Sequence, residues 1–350
     1  MATTALPGTD SADPANSHPA VDPDARAAAS GLRAHVPAAL VETLLGSVRA
    51  TGGLTEETVA PFTGEHLFTY PISTEADVEQ AFVSARVAQA EWAARPVSER
   101  SAIIGKVHHM ALQRQDELLD LLQLEAGKTR YDAFAETAAV AVYARYISRT
   151  APELLGQHRR RGIIPLVTKA YELRHPRGVV GLVTAWNYPA VFASADGFAA
   201  LVGGNAVVHR PDVQASLSAI WVRSLAVEAG VPEDVWQIVL GPGRSVGKAV
   251  VDRADAVAFT GSTEAGRTIA IQVAPRLVYT SFELGGKNPF IVMADADIER
   301  AVDAVIRACF IGAGQTCVGP ERILVHSSIR DPFQTALVAR VRAMRIGAGM

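Results

Sequence analysis

A doubly wound α/β fold is what this sequence predicts, on three observations. From Gly178 onward, short continuous apolar runs alternate with segments of helical periodicity. Several of those runs end in turns rich in Gly, Ser, Asn or Pro. Ahead of them, about residues 31 to 155 are dominated by apolar spacing of helical period. Continuous apolar strands separated by helices signal a parallel sheet covered on both faces. Such sheets bind nucleotides beyond the carboxyl ends of their strands.

Residues 1–30 are rich in Ala, Pro, Asp, Ser and Thr. They cannot bury enough apolar surface to offset ordering entropy and read as a disordered tail. A helix starts at Ala76-Asp77-Val78, with Val78, Ala81, Phe82 and Ala85 on one face. Another begins at Ser98-Glu99-Arg100, and Leu118 to Leu122 and Ala133 to Ile147 carry the same period. The texture then changes. Gly162 to Val167 and Ala170 to Leu173 read as two strands of a β-arm within 157–175. The short basic run Arg159-Arg160-Arg161 reads as an exposed strand edge or loop. Val179 to Thr184 is a buried strand, followed by a helix from Pro189 to about Val202. Asn205 to Val208 is the next strand and Leu217 to Glu228 the next helix, ended by Gly230 and Pro232. Val235 to Leu240 and Ala256 to Phe259 are two more strands. A helix from Ile298 to Phe310 carries Cys309 as an apolar filler.

The 350 residues suffice for two domains. A formal charge of −3 gives no electrostatic footprint for nucleic acid. No apolar stretch is long enough to span a membrane, and the N-terminus lacks a signal-peptide pattern. Two cysteines make no disulfide framework and point to a reducing, cytoplasmic setting. No metal-ligand spacing is present, so no metal is expected.

Six segments could carry chemistry. Cys317, in Gly314-Gln315-Thr316-Cys317, follows two glycines that favour an accessible loop, although a lone Cys is more often core filler. Glu283 opens Glu283-Leu284-Gly285-Gly286; half-buried beside small residues, it would have a pKa raised toward that of a general base, whereas most single Glu residues are surface groups. Asn187, in Trp186-Asn187-Tyr188-Pro189, could donate to an oxyanion or simply occupy a turn before a helix-starting Pro. Arg210, in His209-Arg210-Pro211-Asp212, could meet ribose or phosphate, or be a solvated loop cation. Gly241-Pro242-Gly243 with Gly247 is a loose, weak glycine-rich loop. Phe259-Thr260-Gly261-Ser262 through Gly266 combines close backbone approach with a helix cap suited to phosphate, or is an ordinary strand-to-helix turn.

Together, in this order, the motifs at Trp186, Phe259, Glu283-Leu284-Gly285-Gly286-Lys287-Asn288-Pro289 and Gly314 closely resemble the NAD(P)-dependent aldehyde dehydrogenase superfamily, from about Pro71 to the end of the chain. The resemblance implies that Cys317 attacks an aldehyde, that Asn187 and the Cys317 N–H hold the oxyanion, and that Glu283 activates the hydrolytic water. It implies NADP or NAD as cofactor, with Arg210 at the adenosine ribose, Gly261 and Ser262 at the pyrophosphate, and Trp186 and Leu284 beside the nicotinamide. Asp212, Val213, Gly241 and Gly266 complete the expected cofactor contacts. Val213 stands where NAD-selective members carry a Glu, which favours NADP, while Asp212 would repel a 2′-phosphate.

Glu125-Ala126-Gly127-Lys128, Arg210-Pro211-Asp212 and the Gly241 loop look like an actinobacterial succinate-semialdehyde dehydrogenase branch. The arginines that grip the substrate carboxylate elsewhere are matched by Ala195 and Ile311. The resemblance implies a doubly wound dinucleotide-binding domain over 31–156 and 176–282, an oligomerisation arm over 157–175, and a partial α/β catalytic domain over 283–350. It implies homo-oligomers, and members continuing beyond Met350, so this chain is expected to be C-terminally truncated and poorly active. Two alternatives stay open: another aldehyde, such as betaine or an aliphatic aldehyde, or an inactive fragment that binds nucleotide or intact subunits.

Overall fold

The computed structural model describes residues 31, 33, 35–164 and 167–347. The expected tail over 1–30 lies outside them. Helix α1 (Ala38–Gly46) leads into an antiparallel hairpin of β1 (Thr55–Val59) and β2 (His66–Pro71). That hairpin interrupts a region whose sequence reads as helical. Its strands are short and β1 is mostly exposed and polar, so apolar periodicity does not reveal it. Four helices follow: α2 (Glu75–Ala94), α3 (Val97–Gln113), α4 (Gln115–Ala126) and α5 (Arg130–Leu154). A capping box starts α2. Thr74 Oγ1 accepts from the Asp77 N–H at 3.2 Å, and the Asp77 carboxylate accepts from the Thr74 N–H at 2.7 Å. The expected apolar face of Val78, Ala81, Phe82 and Ala85 is buried.

The arm corrects the sequence reading. Its strands are β3 (His158–Arg161) and β4 (Lys169–Glu172), paired antiparallel from His158↔Glu172 to Arg161↔Lys169. Gly162 to Val167 is therefore not the first strand but belongs to the connection, with 165 and 166 outside the described residues. Thr168 closes that connection: its hydroxyl accepts from the Ile164 N–H and its N–H donates to the Ile164 carbonyl, both at 3.0 Å. The charged run forms the strand because Glu172 engages both Arg160 and Arg174.

Next come β5 (Val179–Val183), α6 (Pro189–Val202), β6 (Ala206–Arg210), α7 (Ser216–Ala229), β7 (Trp236–Ile238), α8 (Lys248–Arg253), β8 (Ala256–Gly261), α9 (Thr263–Val273) and β9 (Tyr279–Leu284). They build one five-stranded parallel sheet in the order β7-β6-β5-β8-β9. The order reverses between β5 and β8, a switch point of the kind that hosts ligands. Beyond it lies a small unit of β10 (Asn288–Val292), α10 (Ile298–Phe310), β11 (Pro320–Val325) and α11 (Arg330–Arg342). Its two strands are parallel, and Val292, Val302, Val305 and Phe333 form its own core. No helix among the described residues is long and apolar enough to cross a membrane.

Two buried glutamates from the helical region fix the helices that follow β5 and β6. Glu136 accepts from the N–H groups of Ala190 and Val191 at the start of α6, at 2.9 and 3.2 Å. Glu125 accepts from the N–H groups of Leu217 and Ser218 at the start of α7, both at 2.8 Å, and from Tyr70 and Ser218 hydroxyls. A carboxylate is well placed at a helix N-terminus, where orphan donors and the dipole favour it. Burial nevertheless pushes the Glu125 carboxyl up to about 7.

Helix α6 lies close enough to the sheet that a Cβ on Gly197 would come within 2.6 Å of the Trp236 ring. That ring is fully buried and packs edge-on against Phe198. Gly197→Ala should therefore overpack a rigid contact and lower the unfolding free energy by about 2 kcal/mol. Urea denaturation measures this, and an unchanged midpoint would contradict the packing.

Candidate active site

Cys317 sits on a loop between α10 and β11 that is held from four sides. Asn187 Nδ2 donates to the Gln315 carbonyl at 2.9 Å, and the hydroxyls of Tyr188 and Thr316 are 3.0 Å apart. Asp132 accepts from the Gly312 N–H at 3.1 Å, and Asn288 Nδ2 donates to the Cys317 carbonyl at 2.8 Å. These ties hold Gly312 and Ala313 in the left-handed region, at φ 56° and 57°. For Ala313 that conformation is uncommon and needs such support. Lys128 pairs with Glu136 in the interior and stands 3.6 Å from the Tyr188 ring centroid. A buried charge pair thus backs the tyrosine that steadies the Cys317 loop.

Cys317, Glu283, Asn187, Trp186 and Leu284 line one cavity of about 340 Å³, with Phe192 and Thr316 among the other walls. The parallel register places Glu283 opposite Thr260 and Leu284 opposite Gly261. Glu283 is exposed rather than half-buried as the sequence suggests. The reason is position: among the described residues β9 is the edge strand of the sheet. Cys309 packs against the small core of the α10 unit, where burial raises its thiol pKa.

The cavity opens into a larger cleft of about 850 Å³, sharing Ala185, Trp186, Thr260, Gly261 and Ser262 with it. The cleft lies past the carboxyl ends of β5, β6 and β8, against α8 and α9. Ser262 caps α9, accepting from the Ala265 N–H at 3.2 Å. Its hydroxyl hydrogen and the first N–H groups of α9 can still meet a phosphate. Thr260 Oγ1 is buried on the wall shared by both cavities with no hydrogen-bond partner. A volume of this size, a helix N-terminus and an orphaned hydroxyl fit a dinucleotide.

Arg210 lines the cleft but is largely buried; its Nε donates to the Gly241 carbonyl at 2.8 Å and Nη1 lies 3.5 Å from Asp212. Asp212 also lines the cleft. Three expected contacts are absent from the cavity walls. Val213 is packed into the core. Gly241, at φ +147°, serves the turn that receives Arg210, while Gly243 and Gly247 line the cleft in its place. Gly266 allows α9 to approach Leu284, since a Cβ there would meet that side chain at 2.8 Å. His209 is buried beside Trp236; burial first, then Arg210, hold its imidazole down to about 3, so it stays neutral.

The supporting roles of Asp132, Tyr188, Asn288 and the Lys128–Glu136 pair, and the orphaned Thr260 hydroxyl, are not marked by the motifs. The spacing of Lys128, Asp132 and Glu136, four residues apart, was the available signal. Nor is Asp196 marked, which lies one turn beyond Phe192 on α6 and makes no hydrogen bond or ion pair among the described residues. Burial first, and then the nearby Glu283 carboxylate, raise Asp196 to about 6. Among the described residues, no group of His, Cys, Asp and Glu could hold a metal ion.

The Aldehyde dehydrogenase family profile matches residues 48–350. The chain is 44% identical, over 82% of its own length, to a Mycolicibacterium smegmatis protein named putative succinate-semialdehyde dehydrogenase (NADP(+)), and it spans 56% of that relative. An aldehyde dehydrogenase from Brucella melitensis biovar abortus superposes with a TM-score of 0.84 at 31% identity, covering 88% of this chain and 65% of that one. A succinate-semialdehyde dehydrogenase from Burkholderia pseudomallei superposes at 0.82 and 31% identity, covering 86% of this chain and 62% of that one.

Two outcomes follow from the site geometry. Iodoacetamide should alkylate Cys317 faster than Cys309, as peptide mapping reads directly; faster labelling of Cys309 would contradict the placement. Between pH 3.8 and about 6 the folded chain retains a proton on Asp196 that the unfolded chain has released. The stability this contributes is present below the unfolded value of 3.8 and is lost as pH rises through about 6. Asp196→Asn should remove a decline of about 2 kcal/mol over that range, measured by urea denaturation at each pH. An identical pH slope in the variant would contradict it.

Proposed function

The chain belongs to the aldehyde dehydrogenase family, and from that premise we propose that its site oxidises an aldehyde to the acid with NADP or NAD through a cysteine thioester. The single observation that carries this reading is that Cys317, Glu283 and Asn187 share one cavity that opens into the Ser262-capped cleft. The Cys317 thiolate attacks the aldehyde carbonyl and forms a C–S bond. The oxyanion of the thiohemiacetal is met by the Cys317 N–H and by the Asn187 amide hydrogen not engaged with Gln315. When bound, the nicotinamide supplies the hydride acceptor that leaves a thioester on Cys317. Glu283 then takes a proton from water, which attacks the thioester carbonyl, and the acid departs as Cys317 is restored. Ser262 and Gly261 would hold the pyrophosphate, Arg210 and Asp212 the adenosine ribose, and Trp186 and Leu284 the nicotinamide side.

Succinate semialdehyde is the substrate we favour, supported by the name of the mycobacterial relative. A neutral aldehyde is a second reading, because no lysine or arginine lines the cavity around Cys317 among the described residues. Comparing kcat/KM across succinate semialdehyde, betaine aldehyde and aliphatic aldehydes separates the two. We divide the chain into a dinucleotide-binding unit over 31–156 and 176–282, an arm over 157–175 and a catalytic segment over 283–350. The exposed Tyr171 and Leu173 of the arm support a role in self-association. Unpaired cysteines support a cytoplasmic setting.

Glu283→Gln should still acylate Cys317 when given NADP and aldehyde, but hydrolyse the thioester about 100-fold or more slowly. Intact-mass spectrometry reads the trapped acyl group and absorbance reads the reduced cofactor. Wild-type hydrolysis in the variant, or a wild-type chain that neither acylates nor reduces cofactor with any aldehyde tested, would contradict the mechanism.

A further inference from the structure

We propose that Arg244 recognises the 2′-phosphate of NADP at the outer rim of the cleft and sets the preference for NADP over NAD. The proposal rests on the cofactor reading above. Three cations line the cleft: Arg210, Arg244 and Lys248. Two are committed. Arg210 is largely buried and tied to Gly241 and Asp212, and Lys248 pairs with Asp252 at 2.6 Å. Arg244 is exposed and has no hydrogen bond or ion pair among the described residues. A guanidinium of that kind is a ready bidentate partner for a phosphate dianion.

Its position selects which phosphate. The walls that the cleft shares with the Cys317 cavity are Ala185, Trp186, Thr260, Gly261 and Ser262, and the capped N-terminus of α9 lies there. Arg244 belongs to the other part of the wall, with Arg210, Lys248, Val251 and Ile269. Apolar walls beside cations suit the adenosine end of the nucleotide. Arg244 rides on the turn Gly243–Gly247, where a Cβ on either terminal glycine would meet nothing within 4 Å, so the wall around it stays open. Two carboxylates oppose a phosphate here. Asp212 is engaged by Arg210 and by the Gln214 N–H at 3.2 Å, and Glu264 lies on the first turn of α9. Arg210 answers Asp212 and Lys248 is paired with Asp252, so the unpaired Arg244 is the cation left to meet a 2′-phosphate and to offset Glu264.

The test is equilibrium binding of NADPH, NADH and 2′,5′-ADP to the purified 350-residue chain, by fluorescence and calorimetry, which requires no turnover. The wild-type chain should bind NADPH more tightly than NADH. Arg244→Ala should weaken NADPH and 2′,5′-ADP about tenfold and leave NADH within about twofold, with Arg244→Lys between. Equal weakening of NADPH and NADH, or no change in either, overturns the role of Arg244 while the cofactor reading stands. A wild-type chain that binds none of the three overturns the cofactor reading itself.

Discussion

The register between β8 and β9 sets Thr260 beside Glu283 and Gly261 beside Leu284, and the layout of the cleft follows from it. On the other side of β8, Val183 at the end of β5 lies opposite Phe259, which brings Trp186 and Asn187 over the same strand ends. Parallel pairing gives all these strands one direction, so their carboxyl ends and loops gather at one edge of the sheet. A one-residue slip would turn every side chain of β9 to the opposite face and carry Glu283 away from the cavity. The positions of Glu283, Asn187 and the Gly261-Ser262 turn are therefore consequences of one hydrogen-bonding pattern.

The placement of Cys317 depends on a second layer of control. Cys317 comes from the β10–α10–β11 unit, which has its own small core, so the sheet register alone does not place it. Helix α5 supplies the link. Asp132 holds the Gly312 N–H, Glu136 holds the start of α6, and Lys128 joins Glu136 to the ring of Tyr188. Buried charges are costly unless paired and hydrogen-bonded, and Lys128 and Glu136 are both. They connect the helix that presents Asn187 and Tyr188 to the loop that presents Cys317.

Much of this was legible in the sequence. The alternation after Gly178 located all four strands named there, because fully buried parallel strands are continuous apolar runs. The groups with chemistry stood out as glycine-rich motifs, since close backbone approach demands small residues. What stayed hidden has physical reasons. The β1–β2 hairpin is short and largely polar on its first strand. The arm's first strand is the arginine run, because cross-strand pairing with Glu172 outweighs the β-branched residues that fill the connection. Glu283 is exposed because strand order, which no local pattern encodes, leaves β9 at the sheet edge. Gly266 and Gly241 carry a phosphate-loop signature yet serve packing and a turn, because a glycine pattern records close approach without naming what approaches.

We propose that the cleft and the adjoining Cys317 cavity together hold a dinucleotide with its nicotinamide beside Cys317. A crystal structure of the chain grown with NADP tests it most directly. The diphosphate should lie at the Ser262 end of α9 and the nicotinamide ring between Glu283 and Cys317. A nucleotide bound outside the cleft, or bound with its nicotinamide turned away from Cys317, would contradict it.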